Sequence, residues 1–328
     1  SAAESLLDDR SRRAFLKVMG ASMALGGLSG CPRQPEEKIV PYVMPPEEMV
    51  PGQFQYFATA MPLGGYGLGL VATSYEGRPT KLEGLKEHPS SLGATDVHAQ
   101  SSILDLYDPD RLDTVTHVGN ISTWKRFIGA VTTEVERTAA GDGAGLRILT
   151  ETVTSPTLGA QLRELLEKYP KAQWHQWEPA GRDNVRAGAK LAFGEYVDTL
   201  YDFSKAEVVL SLDSNFLTEG VGHVRYAADF AAARDAEARH GKMSRLYAAE
   251  STPTLTGTKA DHLLGLRFTA VETLARLVAE ALGVSGIAGK AVEDSHIPRE
   301  WVQARAADLK AHAGESIVIA GPQQPAVV

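Results

Sequence analysis

Apolar and polar positions alternate with two different periods along the second half of the chain. Leu146–Thr150 and Ala172–Trp177 read as short strands, and Leu158–Tyr169 between them reads as an amphipathic helix stopped by Pro170. Glu207–Ser211, with the apolar run Val208–Leu210 at its centre, reads as a strand buried on both faces. Val224–His240 is alanine-rich and predicts a helix. Arg245–Ala249 and Leu263–Phe268 predict two further strands. Val271–Leu282 predicts a helix closed by Gly283, and Ser316–Ala320 a last strand. Strands that alternate with helices imply an α/β fold around a doubly wound parallel sheet. A helix is expected after the last strand and its Gly321-Pro322 turn, so the sequence is expected to stop at Val328 within a domain.

Upstream the period changes. Residues 53–83 look like strands and turns: Gly67–Tyr75 is strand-like, Glu76-Gly77 is a turn and Arg78–Glu83 returns as a hairpin. The glycines at 64, 65, 67 and 69 lead into a strand, whereas a phosphate-cradling loop follows a strand and opens a helix, so a nucleotide reading is rejected. Residues 32–52 read as an extended, solvated tether: Pro32, Pro35, Pro41, Pro45, Pro46 and Pro51 forbid regular helix, and Glu36, Glu37, Glu47 and Glu48 favour water.

Residues 1–31 carry a different signal. Arg12 and Arg13 precede a short, weakly apolar stretch rich in glycine and alanine, which ends at Leu28-Ser29-Gly30-Cys31. A twin arginine before such a stretch looks like a Tat-type export signal, and small residues before a single cysteine look like a lipoprotein processing site at Cys31. The four glycines disfavour an ordinary helix, at about 1 kcal/mol each. From Ala14 to Gly30 the stretch is shorter than the roughly 20 apolar residues of a membrane span. The chain begins at Ser1 without methionine, so its true start is expected upstream.

Composition narrows the function classes. The 328 residues are 43% hydrophobic and 23% charged, as in a globular protein. A net charge of −8 argues against a nucleic-acid partner. One cysteine makes no internal disulfide and cannot supply the four thiolates an iron–sulfur cluster usually takes.

Ligands of open α/β sheets bind beyond the carboxyl ends of the strands, which makes Thr150–Ser155, Asp213–Asn215 and Glu250–Thr252 the places to look. Asp213 and Asn215 could hold a ligand, but such residues more commonly cap a turn or helix. His223, His240 and His262 have no metal-ligand spacing. His88, before Pro89, is better read as a turn residue than as a catalytic one. Core packing accounts for Trp174, His175 and Trp177. Neither a P-loop nor a Gly-x-Ser-x-Gly elbow is present. No residue is assigned a catalytic, cofactor-binding or metal-binding role.

Several blocks taken together carry a family resemblance. Glu76–Gly84 and His88–Gly93 resemble the N-terminal hairpin of molybdopterin oxidoreductases. Ser11–Lys17, Pro35–Tyr42, Tyr56–Ala60, Leu106–Arg111 and Arg245–Asp261 resemble one branch more closely. That branch is the Tat-translocated, molybdopterin-oxidoreductase-like iron–sulfur subunit of bacterial alternative complex III.

The resemblance implies a domain plan: a signal with a possible lipobox in 1–31, a tether in 32–52, a β-rich N-terminal region in 53–120 and an α/β domain in 121–328. It implies a segment of a quinol-oxidising respiratory complex on the periplasmic side of the inner membrane. The partners would be quinol-oxidising membrane subunits and cytochrome c subunits, and the iron–sulfur clusters would lie C-terminal to Val328.

Departures from the family pattern argue against catalysis in this segment. Gln53–Arg111 contains no cysteine, and Gly93–Gln100 stands where the last cluster cysteine and its Lys-Gly would fall. Glu250-Ser-Thr stands where Asp-Pro-Arg would contact the pterin nucleotide, and no residue matches a molybdenum-ligating cysteine. Molybdopterin is therefore expected to be absent and the segment to be a scaffold. The alternatives are a catalytic, polysulfide-reductase-like molybdopterin enzyme and a free periplasmic lipoprotein that binds a solute.

Overall fold

The computed structural model describes Lys17, residues 49–285 and residues 296–328. Arg12, Arg13, Cys31 and nearly all of the 32–52 tether lie outside the described residues. Val50 to Val328 make up one structural unit.

The unit opens with a three-stranded antiparallel meander, β1 (Phe54–Leu63), β2 (Tyr66–Tyr75) and β3 (Arg78–Gly84). Gly64 and Gly65 join β1 to β2 with φ of 57° and 84°, the left-handed pair that a two-residue hairpin loop needs. The expected hairpin from Gly67 to Glu83 is present, with Tyr75 paired to Arg78 and a register shift at Thr73/Ser74. Its small core is Leu70 and Leu82 packed with Ala99 of the short helix α1 (Val97–Ser101). Asp96 caps α1, its Oδ1 accepting the Ala99 N–H at 2.7 Å. A two-residue ladder, β4 (Thr116–His117) with β5 (Asn120–Ile121), leads into helix α2 (Trp124–Ala139).

The expected strands in the second half are present, but they form two sheets rather than one. Strands β6 (Arg147–Thr150) and β7 (Gln173–Gln176) pair in parallel by themselves, joined through α3 (Pro156–Lys168). After α4 (Asp183–Phe193) come β8 (Val208–Leu212), β9 (Arg245–Glu250), β10 (His262–Gly265) and β11 (Ser316–Ala320). These four make an all-parallel sheet in the order β10-β9-β8-β11. The chain steps outward from β8 to β10, then crosses back to lay β11 on the other side of β8.

Both faces of this sheet are covered, which explains why β8 is buried at every position. Val208, Leu210 and Leu212 face α7 (Ala270–Leu282) and α8 (Arg299–Ala311) through Val271, Leu274, Val302 and Leu309. Val209 points the other way, toward Phe203, Phe216, Tyr226 and Phe230; the last two lie on α5 (His223–Ala233). Phe203 and Phe216 stack with centroids 4.5 Å apart.

Two expected elements are shorter than the sequence suggests. The Val224–His240 helix stops at Ala233, where Arg234 and Asp235 turn back onto the carbonyls of Ala231 and Ala232. The Leu263–Phe268 strand stops at Gly265, and Phe268 lies in an exposed loop. Among the described residues no helix is long and apolar enough to cross a membrane.

Candidate functional site

The strand order reverses between β8 and β11, so the crevice beyond their carboxyl ends is where an open α/β sheet offers a binding site. Asp213, the first residue past β8, is buried and holds a φ of 54°. Its N–H donates to the Ala249 carbonyl at 2.7 Å. Its Oδ1 accepts the Ser251 N–H at 2.8 Å and the Ser251 hydroxyl at 3.1 Å. Its Oδ2 accepts the side-chain amides of Gln324 at 2.9 Å and Gln323 at 3.2 Å. The Gln323 amide also donates to the Asp213 carbonyl at 2.6 Å. One carboxylate thereby ties together the loops that follow β9, β8 and β11. Each of these hydrogen-bond partners is neutral.

The neighbouring residues are also committed to the fold. Glu250 is buried and accepts the Thr254 N–H at 3.1 Å and the Thr254 hydroxyl. This fixes the entry to the single turn α6 (Leu255–Thr258), where Thr254 Oγ1 accepts the Gly257 N–H at 3.3 Å. A Cβ on Gly257 would sit 2.0 Å from Glu250 Oε2, so the carboxylate packs where a side chain would otherwise be. Asn215 caps the following turn: its carbonyl accepts the N–H groups of Thr218 and Glu219 at 3.0 and 2.9 Å. Its side chain donates to Glu219 at 2.8 Å and accepts from the Thr256 hydroxyl at 3.1 Å. The open space left over is a depression of about 200 Å³, lined by Asn215, Glu219, Thr252, Thr254, Phe268 and Pro322 among others.

Thr150–Ser155, beyond the end of β6, receives another part of the chain. The Thr154 hydroxyl donates to the Gly65 carbonyl, and a Cβ on Gly65 would stand 2.8 Å from the Thr152 side chain. The Thr152 N–H is held by Glu178 at 2.8 Å. The loop joining β1 to β2 therefore sits on the crest of the smaller sheet. Beside it, the Tyr66 hydroxyl donates to Asp198 at 2.9 Å and accepts from Arg182 at 2.5 Å. Burial, then the hydrogen bond to Asp198, pushes the Tyr66 phenol up to about 12.

The three loci singled out by the sequence thus fall at two crests, and the residues that close the main one, Gln323 and Gln324, were not among them. Two glutamines after a Gly-Pro turn give no signal of their own in a sequence. Their position just past a C-terminal strand end was the only clue to them.

Among solved structures, acetylene hydratase from Pelobacter acetylenicus is similar to this chain. The match has a TM-score of 0.46 and 13% identity, over 76% of this chain and 35% of that one. This chain therefore spans about a third of that enzyme. No family model and no curated protein matches the chain.

The histidines are dispersed. His88 sits in a turn, its Nδ1 2.8 Å from the Ser90 hydroxyl, with the ring over Gly69, where a Cβ would stand 2.2 Å away. His223 opens α5: its Nδ1 lies 2.8 Å from the Gly220 carbonyl and its Nε2 3.1 Å from Asp96 Oδ2. His240 takes a φ of 55° in a turn, and His262 lies against the Tyr247 ring at 5.5 Å. Among the described residues no cluster of histidine, cysteine and acidic side chains could hold a metal ion. Core packing accounts for Trp174, whose indole donates to Thr150 at 3.0 Å, but not for His175, which is exposed, or for Trp177, which is 65% exposed.

Proposed function

We propose that the chain is a non-catalytic, molybdopterin-oxidoreductase-like scaffold segment of a respiratory complex that oxidises quinol and passes electrons to cytochrome c or to an oxidase. It acts on the periplasmic side of the bacterial inner membrane, exported by a Tat signal at Arg12 and Arg13, with Cys31 as the candidate lipid attachment point. Its partners are the quinol-oxidising membrane subunits and the cytochrome c subunits, and iron–sulfur clusters lie C-terminal to Val328.

The observation that carries the scaffold reading is the Asp213 clasp. The crevice beyond β8 and β11, where an open α/β sheet takes a ligand, is small and laced by hydrogen bonds, which supports the reading that no pterin dinucleotide is held there. The space of about 200 Å³ is below the 300–1,000 Å³ usual for even drug-sized ligands. Opening it means breaking hydrogen bonds from Ser251, Gln323 and Gln324 to a buried carboxylate. The sequence supports the same reading, because a single cysteine leaves no thiolate set for the usual cluster beside the pterin. The resemblance of the blocks from Ser11 to Asp261 supports the choice of complex.

The test is elemental and haem analysis of the polypeptide purified from native membranes. The expected result is no stoichiometric molybdenum or pterin, with co-purification of haem and quinol-oxidising membrane subunits. Stoichiometric molybdenum and pterin would sink the scaffold reading, and recovery as a free monomeric lipoprotein would sink the complex.

A further inference from the structure

Helix α2 is sixteen residues long and none of them is buried. Its apolar side chains Trp124, Phe127, Ile128, Val131 and Val135 recur at i, i+3, i+4, i+7 and i+11, which places them on one stripe. They are between 39% and 67% exposed. A helix in water keeps such a stripe only where something covers it, because isolated helices of this length are marginal. The charges on the same helix identify what does. Glu134 and Arg137 pair with each other at 2.8 Å, one turn apart. Lys125, Arg126 and Glu136 have no side-chain partner among the described residues, and of these Arg126 lies on the face away from the stripe, so Lys125 and Glu136 are the pair of opposite sign beside it. They stand eleven positions apart (136 − 125), about three helical turns, and so flank the stripe on the same side.

We propose that α2 packs antiparallel against α2 of a second copy of this chain. A two-fold axis between Ala130 and Val131 sets residue i level with residue 261 − i of the other helix. Lys125 then lies level with the partner's Glu136, and by symmetry Glu136 with the partner's Lys125. The same register interleaves the apolar positions. Ile128 falls between the partner's Val131 and the partner's Val135, and Trp124 falls beside the partner's Val135. Same-side flanking positions face each other across an antiparallel helix pair, so the register that seats the stripe also joins Lys125 to the partner's Glu136. The contact is isologous and closes at two copies.

A strip about 24 Å long, at 1.5 Å per residue, is small beside the roughly 800 Å² per partner of a standard interface. The dimer is therefore a concentration-dependent one. An anionic membrane is a poorer occupant, since the charges of α2 are mixed (Lys125, Arg126 and Arg137 against Glu134 and Glu136) and the chain carries −8 overall.

Sedimentation of the complete polypeptide from about 1 to about 200 µM reads the association directly. The wild type is expected to pass from monomer to dimer. Lys125→Glu and Glu136→Lys are each expected to weaken the dimer roughly tenfold, and the double swap to restore it. Both side chains are exposed, so circular dichroism should show all three variants folded. A monomer throughout the range, a dimer indifferent to the single changes, or a double swap that fails to recover overturns the proposal. So does binding of α2 to phosphatidylglycerol vesicles or to another segment of the same polypeptide in place of self-association.

Discussion

A Cβ on Gly321 would stand 2.1 Å from the carbonyl oxygen of Asp213. The requirement here is space: backbone meets backbone where β11 ends against β8, and the Gly321 N–H bonds the Leu212 carbonyl at 2.9 Å. Neither strand can move aside without breaking the ladder. Gly321→Ala is expected to destabilise the fold by about 1–3 kcal/mol, the usual penalty for overpacking. Gly67→Ala, at a site with nothing within 4 Å of its Cβ, should cost much less. Denaturant midpoints at equal slope compare the two, and equal losses would mean that the close approach is not felt. Asp213 and Asn215 could be named from the sequence because they come just after an apolar strand. Their partners could not, since only the fold brings Ser251 and Gln323 to within about 3 Å of the same carboxylate.

Elements were legible where burial was strong. Strand β8 is buried at every position, and α7 ends at Gly283 in the left-handed conformation that the sequence suggests. Helices α2, α4 and α8 have no counterpart among the expected elements. Helix α8 buries only Val302, Ala306 and Leu309 and otherwise reads as polar, its Arg305 lying between the rings of Tyr247 and Trp301. The split into two sheets was illegible for a related reason: β6 and β7 look like any pair from a parallel sheet until their neighbours are known. What the meander does for the smaller sheet can be tested at Tyr66. Its phenol is raised from an ordinary 10.0 to about 12, so the folded state favours the neutral form. The resulting stabilisation is complete below pH 10 and is lost as pH climbs toward about 12. Tyr66→Phe cannot ionise, so it should remove this part of the alkaline destabilisation while leaving Arg182 and Asp198 in place. An alkaline unfolding curve unchanged in shape would contradict the coupling.

At the scale of the whole molecule, contacts between segments distant in sequence hold the parts together. His223 at the start of α5 lies 3.1 Å from Asp96, the residue that caps α1, and Thr154 reaches Gly65. The most distant pairing within a sheet is that of β8 with β11, where Val208 faces Ser316. It has a consequence for how the protein is made. Synthesis at about 5–20 residues per second delivers β11 roughly 5–20 s after β8. Through that interval β8, buried at every position in the folded protein, has one edge with nothing to pair, the condition in which nascent chains aggregate. A chain ended at Glu315 should therefore be largely insoluble, and adding residues 316–328 in cis should restore solubility; a soluble, cooperatively folding truncation would contradict this. With the strand order β10-β9-β8-β11, the nascent protein is expected to need protection by a chaperone until β11 has left the ribosome.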